Sequence, residues 1–407
     1  EVLDTSTTTS AFVTGYDFIA DGAEAAAKAL AAQDGVQVKT TINETWSKAD
    51  LEQGLITDDP DLASISAHFD HNRAVPADAD KSGDQSKYFL AADVANAGNL
   101  INALVLSIGC HSGLSVPDVE LALNDNVDWA QTFAGEGATY IGNTGYGYGD
   151  TELVLYSERL QELFAEQLRT GASVGAAMMA AKQAHFSELT TISPYDAKVL
   201  SEWTLYGLPM WQVGGAYTPP QSAQSLVSEP SSLVEQATIE PVAPDSVVQQ
   251  PVVLTVGTTD DPAENVLTPK VVPVINPDTK QPYSDINRTY YQQNGNIIAV
   301  ENRPVQPSVE RDVTRPGYTA HGVLITDAVS EDKPNFEPYY ATPVIDKAEN
   351  EHQWGAVGDA VFPTTLARVS NPVQADGSTE STLTLAAGQF RKDVDGAPGV
   401  GTQRLFT

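Results

Sequence analysis

Positive charge is scarce in this chain. Against 54 Asp and Glu stand only 22 Lys and Arg, a formal charge of −32 over 407 residues. Such a chain repels phosphate backbones and anionic lipid, which argues against a nucleic-acid or membrane-surface role. The acidity reads instead as solubility, suited to a salty or calcium-containing medium outside the cell. Cysteine occurs once, at Cys110, so no intrachain disulfide can form. That fits the cytosol and equally the exported bacterial proteins that avoid cysteine. No apolar run reaches about 18 residues, so no membrane-spanning helix is expected. The chain opens at Glu1 without Met or a signal-peptide pattern, and reads as a processed or shortened product.

What is present divides by composition. At this length two domains are expected. Residues 1–215 alternate strand-like and helix-like segments, the pattern of an α/β layered sheet. "SAFVTGYDF" reads as a strand and turn, and "DGAEAAAKALAAQ" as a helix with Asp21 at its N-cap. "VQVKTTI" is a second strand, "KADLEQGLI" a short helix, "DLASISAHF" a third strand. "NALVLSIGC" is almost wholly apolar, as a strand buried on both faces should be. "VDWAQTFAGEG" is a helix with a Gly stop, and "ATYIGNTGYGYGD" a fifth strand entering a Gly-rich loop. Two long helical patterns and the closing "WTLYGLPMWQVG" follow. Residues 216–251 are rich in Pro, Ser and Gln and read as a linker or an extended wrapping segment. Residues 252–407 carry short β-prone runs such as "KVVPVI", "NIIAVE", "AHGVLITDA", "TTLARV" and "STLTLAAGQF". They predict an all-β sandwich.

Chemistry concentrates where two strands end. In a parallel sheet, functional side chains collect beyond the carboxyl ends of strands. The third strand ends in His68 and His71, the fourth in Cys110 and His111. If the two strands are neighbours, Cys110 and His68 face each other. A free thiol is mostly protonated at neutral pH, so a nucleophilic cysteine needs such a base, which later returns the proton to a leaving amine. The backbone amides of Cys110 and Phe69 are the candidate oxyanion donors. Gly109 and Gly113 would let a substrate backbone approach closely. Taken alone, Cys110 reads as a buried small hydrophobe, and its place at a strand end beside a second strand ending in histidine turns the reading toward catalysis. Zinc is the third reading of this cluster, but H-x-x-H followed far away by Cys-His matches no common ligand spacing. His185, His321 and His352 have no evident partner.

The order strand–His, strand–"GCHSG", "ATYIGNTGYGYGD", long helix, "WTLYGLPMW" resembles the catalytic subdomain of the gingipain family of cysteine peptidases. That family lies within the caspase-like (clan CD) peptidases, beside clostripain, legumain and separase. The resemblance covers about residues 10 to 215. It implies a caspase-like, mostly parallel sheet flanked by helices, followed by an immunoglobulin-like β domain. It also implies a secreted or cell-surface endopeptidase acting on peptide or protein substrates. Cys110 would be the nucleophile, His68 the general base and acid, and Asp17, ending the first strand, the residue that orients the histidine. Tyr146, Tyr148 and Asp150 would line the substrate pocket; the alternative reading of this loop is a flexible turn before a helix capped by Asp150. The family usually has Gly after the histidine, where this chain has Phe69. The family's preceding α/β subdomain has no counterpart here, which fits a missing upstream subdomain or propeptide. Members often cut after Arg or Lys, but no pocket acid stands out in this chain. No cofactor is implied. Calcium could sit on oxygen-rich loops such as "GTTDDPAEN", "VINPDTKQPYSDIN" and "DKAENE", though none has the twelve-residue helix–loop–helix spacing. The alternative is a catalytically inactive caspase-like scaffold within a surface or secretion assembly.

Overall fold

A computed structural model describes residues 9–97, 100–116, 127–168, 172–189, 192–213, 267–275, 282–293, 296–343, 361–375, 377–393 and 399–406. The first part of the chain runs β1 (Thr9–Gly15), α1 (Ala20–Ala31), β2 (Val36–Ile42), α2 (Lys48–Glu52), β3 (Leu62–Ile65), β4 (His68–Phe69), β5 (Arg73–Val75) and α3 (Ala77–Ser82). It continues through β6 (Phe89–Leu90), α4 (Ala91–Ala97), β7 (Leu104–Leu106), α5 (Trp129–Gly135), β8 (Thr139–Asn143), α6 (Tyr156–Gln167), α7 (Val174–Glu188), α8 (Pro194–Glu202) and β9 (Trp203–Tyr206).

Six of these strands form one sheet in the order β2-β1-β3-β7-β8-β9. All neighbours are parallel except β8 and β9. Period-two alternation splits the strand side chains between two apolar layers. Ala11, Val13, Leu104, Leu106 and Ile141 face one layer, with Leu160, Phe164 and Ala177 of the helices. Phe12, Val105 and Tyr140 face the other, with Leu51, Val94, Trp129 and Phe133. Every residue of β3, β7 and β8 is buried, whereas the edge strand β2 alternates toward solvent. Near-continuous apolar runs in the centre and alternation at the edge are what two-sided helical cover demands.

Helix α1 owes its small residues to packing. An added Cβ at Gly22 would lie 2.6 Å from Cβ of Glu158 on α6. The expected N-cap at Asp21 is not formed. The helix begins one residue earlier, at Ala20, with Ile19 as a cap that makes no side-chain bond. Asp21 accepts from the Gly22 amide at 3.0 Å inside the first turn, where a carboxylate still favours the helix dipole. The Gly stop after α5 is realised by Gly137, at φ +77°.

Among the described residues the later part is all β: β10 (Leu267–Ile275), β11 (Pro282–Gln293), β12 (Ile297–Ile298), β13 (Gln306–Asp312), β14 (Ser330–Phe336), β15 (Val361–Phe362), β16 (Ala367–Ser370), β17 (Thr382–Ala386), β18 (Gly388–Lys392) and β19 (Gly401–Phe406). β10 and β11 form a hairpin, and the others form antiparallel sheets in the orders β12-β13-β17-β16 and β14-β19-β18-β15. Gln306 and Gln403, both buried, exchange side-chain bonds of 3.1 and 2.7 Å between the two sheets. "AHGVLITDA" is not a strand: Leu324 is 84% exposed and Ile325 44%. Its apolar residues find no neighbouring strand among the described residues. The segment 216–251 and most of the acidic loops proposed for calcium lie outside the described residues, as does His352. Among the described residues no helix is long and apolar enough to cross a membrane.

Candidate functional site

Strand register brings the sequence-predicted pair together. β3 and β7 are parallel neighbours with Ser64 opposite Leu106. His68 and Cys110 each lie four residues beyond that pair, at the same end of the sheet. Both line one small cleft, with Phe18, Ile19, Gly147 and Tyr148 among its other walls. His71 lies in the turn between β4 and β5 and is not part of this lining. It gives its carbonyl to the Trp129 amide at 3.0 Å.

Behind the imidazole stands Asp17. Its Oδ2 is 3.8 Å from His68 Nε2, with both side chains about one-fifth exposed. Asp17 reaches this position through a left-handed turn, φ +55°, at the end of β1, a conformation Asp tolerates better than most residues. Its amide donates to Glu44 Oε1 at 2.8 Å. The His68 ring meets Tyr16 edge-on at 5.7 Å and Phe18 at 5.9 Å. The buried Tyr16 donates its hydroxyl to Val75 O at 2.9 Å, tying β1 to the hairpin that carries the histidine.

The loop bearing Cys110 is held at nearly every residue. Gly109 N–H donates to Ser107 Oγ (3.0 Å), His111 N–H to Gly145 O (2.6 Å) and Gly113 N–H to Asn143 O (2.7 Å). Asn143 Nδ2 donates to Ile108 O (2.7 Å), and Ser112 Oγ to Gly109 O (2.8 Å). His111 sits at φ +57°; such strain is kept where surroundings over-determine the backbone. Among the described residues the Cys110 amide donates to no backbone carbonyl outside the regular helices and strands. Asp70 N–H donates to Arg73 O at 2.9 Å, so antiparallel alternation points the Phe69 N–H away from β5.

The Cys110 thiol is half-buried, with Sγ 3.7 Å from Gly147 O. Burial pushes it above its ordinary range, and backbone hydrogen bonds at Gly147 and at Cys110 itself only partly offset this. The carboxylate of Glu202 pushes it the same way as burial.

Glu202 is the residue sequence reasoning missed. It is the last residue of α8, and its carbonyl accepts from the Thr144 amide at 2.9 Å. Its carboxyl lies against Gly145, where an added Cβ would be 2.5 Å from Oε2. Among the described residues Oε2 is buried without a hydrogen-bond partner, although the Tyr146 backbone acts on the carboxyl group. Burial raises the Glu202 carboxyl above its ordinary range, while Lys198 and His111 act the other way. Nothing in "SEWTLYG" marks it; only the antiparallel pairing of β9 with β8 brings it to the Gly-rich loop.

The glycines serve packing rather than substrate approach. A Cβ on Gly109 would lie 2.4 Å from the Phe69 ring and 2.8 Å from Ala67 O. One on Gly113 would lie 2.4 Å from Gly142 O, and one on Gly147 1.9 Å from Ile108 O. "NTGYGYGD" is therefore a close-packed segment.

The three expected pocket residues separate. Tyr148 is buried and lines the cleft. Tyr146 is 47% exposed and stands edge-on to His111 at 4.6 Å. Asp150 is fully buried and gives its carboxylate to Tyr339 Oη at 2.7 Å and the Thr342 amide at 3.1 Å, in the β region. It does not cap α6, whose N-cap is Leu155. His185 is buried beside Asp196, Nε2 to Oδ1 3.4 Å, and His321 is exposed. Among the described residues no three His, Cys, Asp or Glu side chains converge as a metal ion requires. No family model and no curated protein matches the chain.

Proposed function

We propose that the chain is a cysteine endopeptidase of the gingipain type, built on a caspase-like sheet with an immunoglobulin-like β module behind it. One observation carries the reading: the β3–β7 register that puts Cys110 and His68 in one cleft, with Asp17 behind the imidazole. A peptide carbonyl enters beside Cys110. His68 takes the thiol proton as sulfur attacks the carbonyl carbon. The resulting oxyanion receives the Cys110 and Phe69 amides. Collapse breaks the C–N bond, and the imidazolium returns the proton to the departing amine. Water then attacks the thioester, losing a proton to His68, and the acid leaves as Cys110 recovers its thiol. Asp17 favours the imidazolium formed in each half-reaction. Glu202 supplies a negative charge beside the Gly-rich loop, suited to a basic substrate side chain.

Replacement of Cys110 by Ala tests this on a panel of peptides. The expected result is loss of cleavage with an unchanged fold. Cleavage at the wild-type rate overturns the reading. A second reading, an inactive caspase-like scaffold, rests on Phe69, whose side chain fills the space beside Gly109. A peptidyl electrophile series separates the two: covalent labelling at Cys110 favours the enzyme, and inertness favours the scaffold.

A further inference from the structure

A second cavity of about 810 Å3 opens between α7 and β16, away from Cys110. Its walls include Met178, Met179, Phe186 and Pro209 on one side and the run from Arg368 to Pro372 on the other. Three features of this groove point to a ligand. First, β16 is an edge strand: among the described residues it pairs with β17 alone. Second, two cations line the groove, and neither forms an ion pair with a carboxylate among the described residues. Lys182 Nζ donates to Trp203 O at 2.7 Å. Arg368 Nη1 donates to the carbonyls of Phe186 and Leu189, its guanidinium 4.0 Å from the Phe186 ring centroid. Burial lowers the pKa of both groups, Arg368 and Lys182 alike. Third, Ser370 Oγ is buried with no partner among the described residues. In a chain of net charge −32, two partly buried cations with no counter-charge among the described residues mark a place where an added carboxylate is favoured.

We propose that this groove binds an extended acidic peptide segment, which adds as a strand to the edge of β16 that faces away from β17. Main-chain bonds to the edge give affinity, apolar side chains enter the Met- and Phe-lined wall, and carboxylates meet Lys182 and Arg368. The volume suits a ligand of several residues. The proposal does not depend on peptidase activity, because its readout is binding alone.

The test is fluorescence anisotropy with the full chain carrying Cys110→Ala, so that no probe is consumed. The probe is a labelled seven-residue peptide of alternating Val and Thr bearing two Asp. Expected results are binding of the Asp peptide, at least tenfold weaker binding of the same peptide with Lys in place of Asp, and loss on N-methylation of alternate residues. Lys182→Gln should weaken the Asp peptide about 10-fold or more, the scale of a charge-assisted hydrogen bond. Met179→Asp, at a position already 44% exposed, should weaken it without unfolding the chain. Equal binding of Asp and Lys peptides, indifference to N-methylation, or no binding overturns the proposal. Displacement by decanoate with no response to the backbone changes would assign the groove to a fatty carboxylate and also overturn it.

Discussion

Because Cys110 is the chain's sole cysteine, alkylation by iodoacetamide reports its ionisation directly. The rate is the intrinsic reactivity multiplied by the thiolate fraction. Burial and the nearby Glu202 charge hold the thiol above its ordinary range, which lies near about 8.5. At pH 7 no more than about 3% of an ordinary thiol is thiolate, so Cys110 should show less still. The expected profile climbs about tenfold per pH unit between pH 6 and pH 8, with its midpoint above that of an ordinary thiol. Glu202→Gln removes a charge that disfavours the thiolate, so its profile should move to lower pH. Mass spectrometry of the intact chain after timed quenching measures both. A plateau with a midpoint below pH 7 would refute the reasoning: it would mean a resting thiolate–imidazolium pair, with burial no longer the leading influence. A Glu202→Gln profile that coincides with the wild type would remove Glu202 from the electrostatics of the site.

Gly109→Ala should destabilise the chain by about 1–3 kcal/mol, the usual range for overpacking, because its Cβ meets Phe69 at 2.4 Å. Urea unfolding of Gly109→Ala, Phe69→Gly and the double variant should show coupling of about 0.5–3 kcal/mol; strict additivity would mean that the two residues do not press on each other. Asp150 is pushed up to about 6 by burial, against the hydrogen bonds it accepts from Tyr339, Glu152 and Thr342. The folded chain therefore holds this proton more tightly than the unfolded chain, where the group titrates near about 3.9. Its contribution to stability is full below about pH 4 and is lost as pH rises through about 6, a change on the order of 3 kcal/mol. The stability difference between wild type and Asp150→Asn should follow that window in denaturant melts. A difference that stays flat from pH 4 to pH 7 would contradict it.

Local order along the chain was legible because each element carries its own physical mark. Alternation in "VQVKTTI" gave a strand, and the apolar "LVL" before Ser107 one buried on both faces. The Gly of "AGEG" ended α5. The same local reading failed in "AHGVLITDA", since β-prone residues become a strand only when a partner offers hydrogen bonds. It also failed at Asp21, where an acidic residue at a helix start does not decide which residue becomes the cap.

At the site, the sequence by itself determined which chemistry is on offer: one thiol, and histidines placed where strands end. Periodicity sets strand ends, and a parallel sheet gathers those ends on one side. The tertiary structure decided which groups meet. It placed β3 beside β7 and chose His68 over His71 for the cleft. It folded Asp17 back through a left-handed turn and brought Glu202 to Gly145 across the β8–β9 pair. It sent Asp150 to Tyr339, 189 residues away, where the sequence had suggested a pocket wall. These outcomes depend on register and on close approach between segments far apart in the chain. Composition and spacing carry no term for either, so the glycines that look free to admit a substrate are in fact filled by Phe69, Gly142 and Ile108.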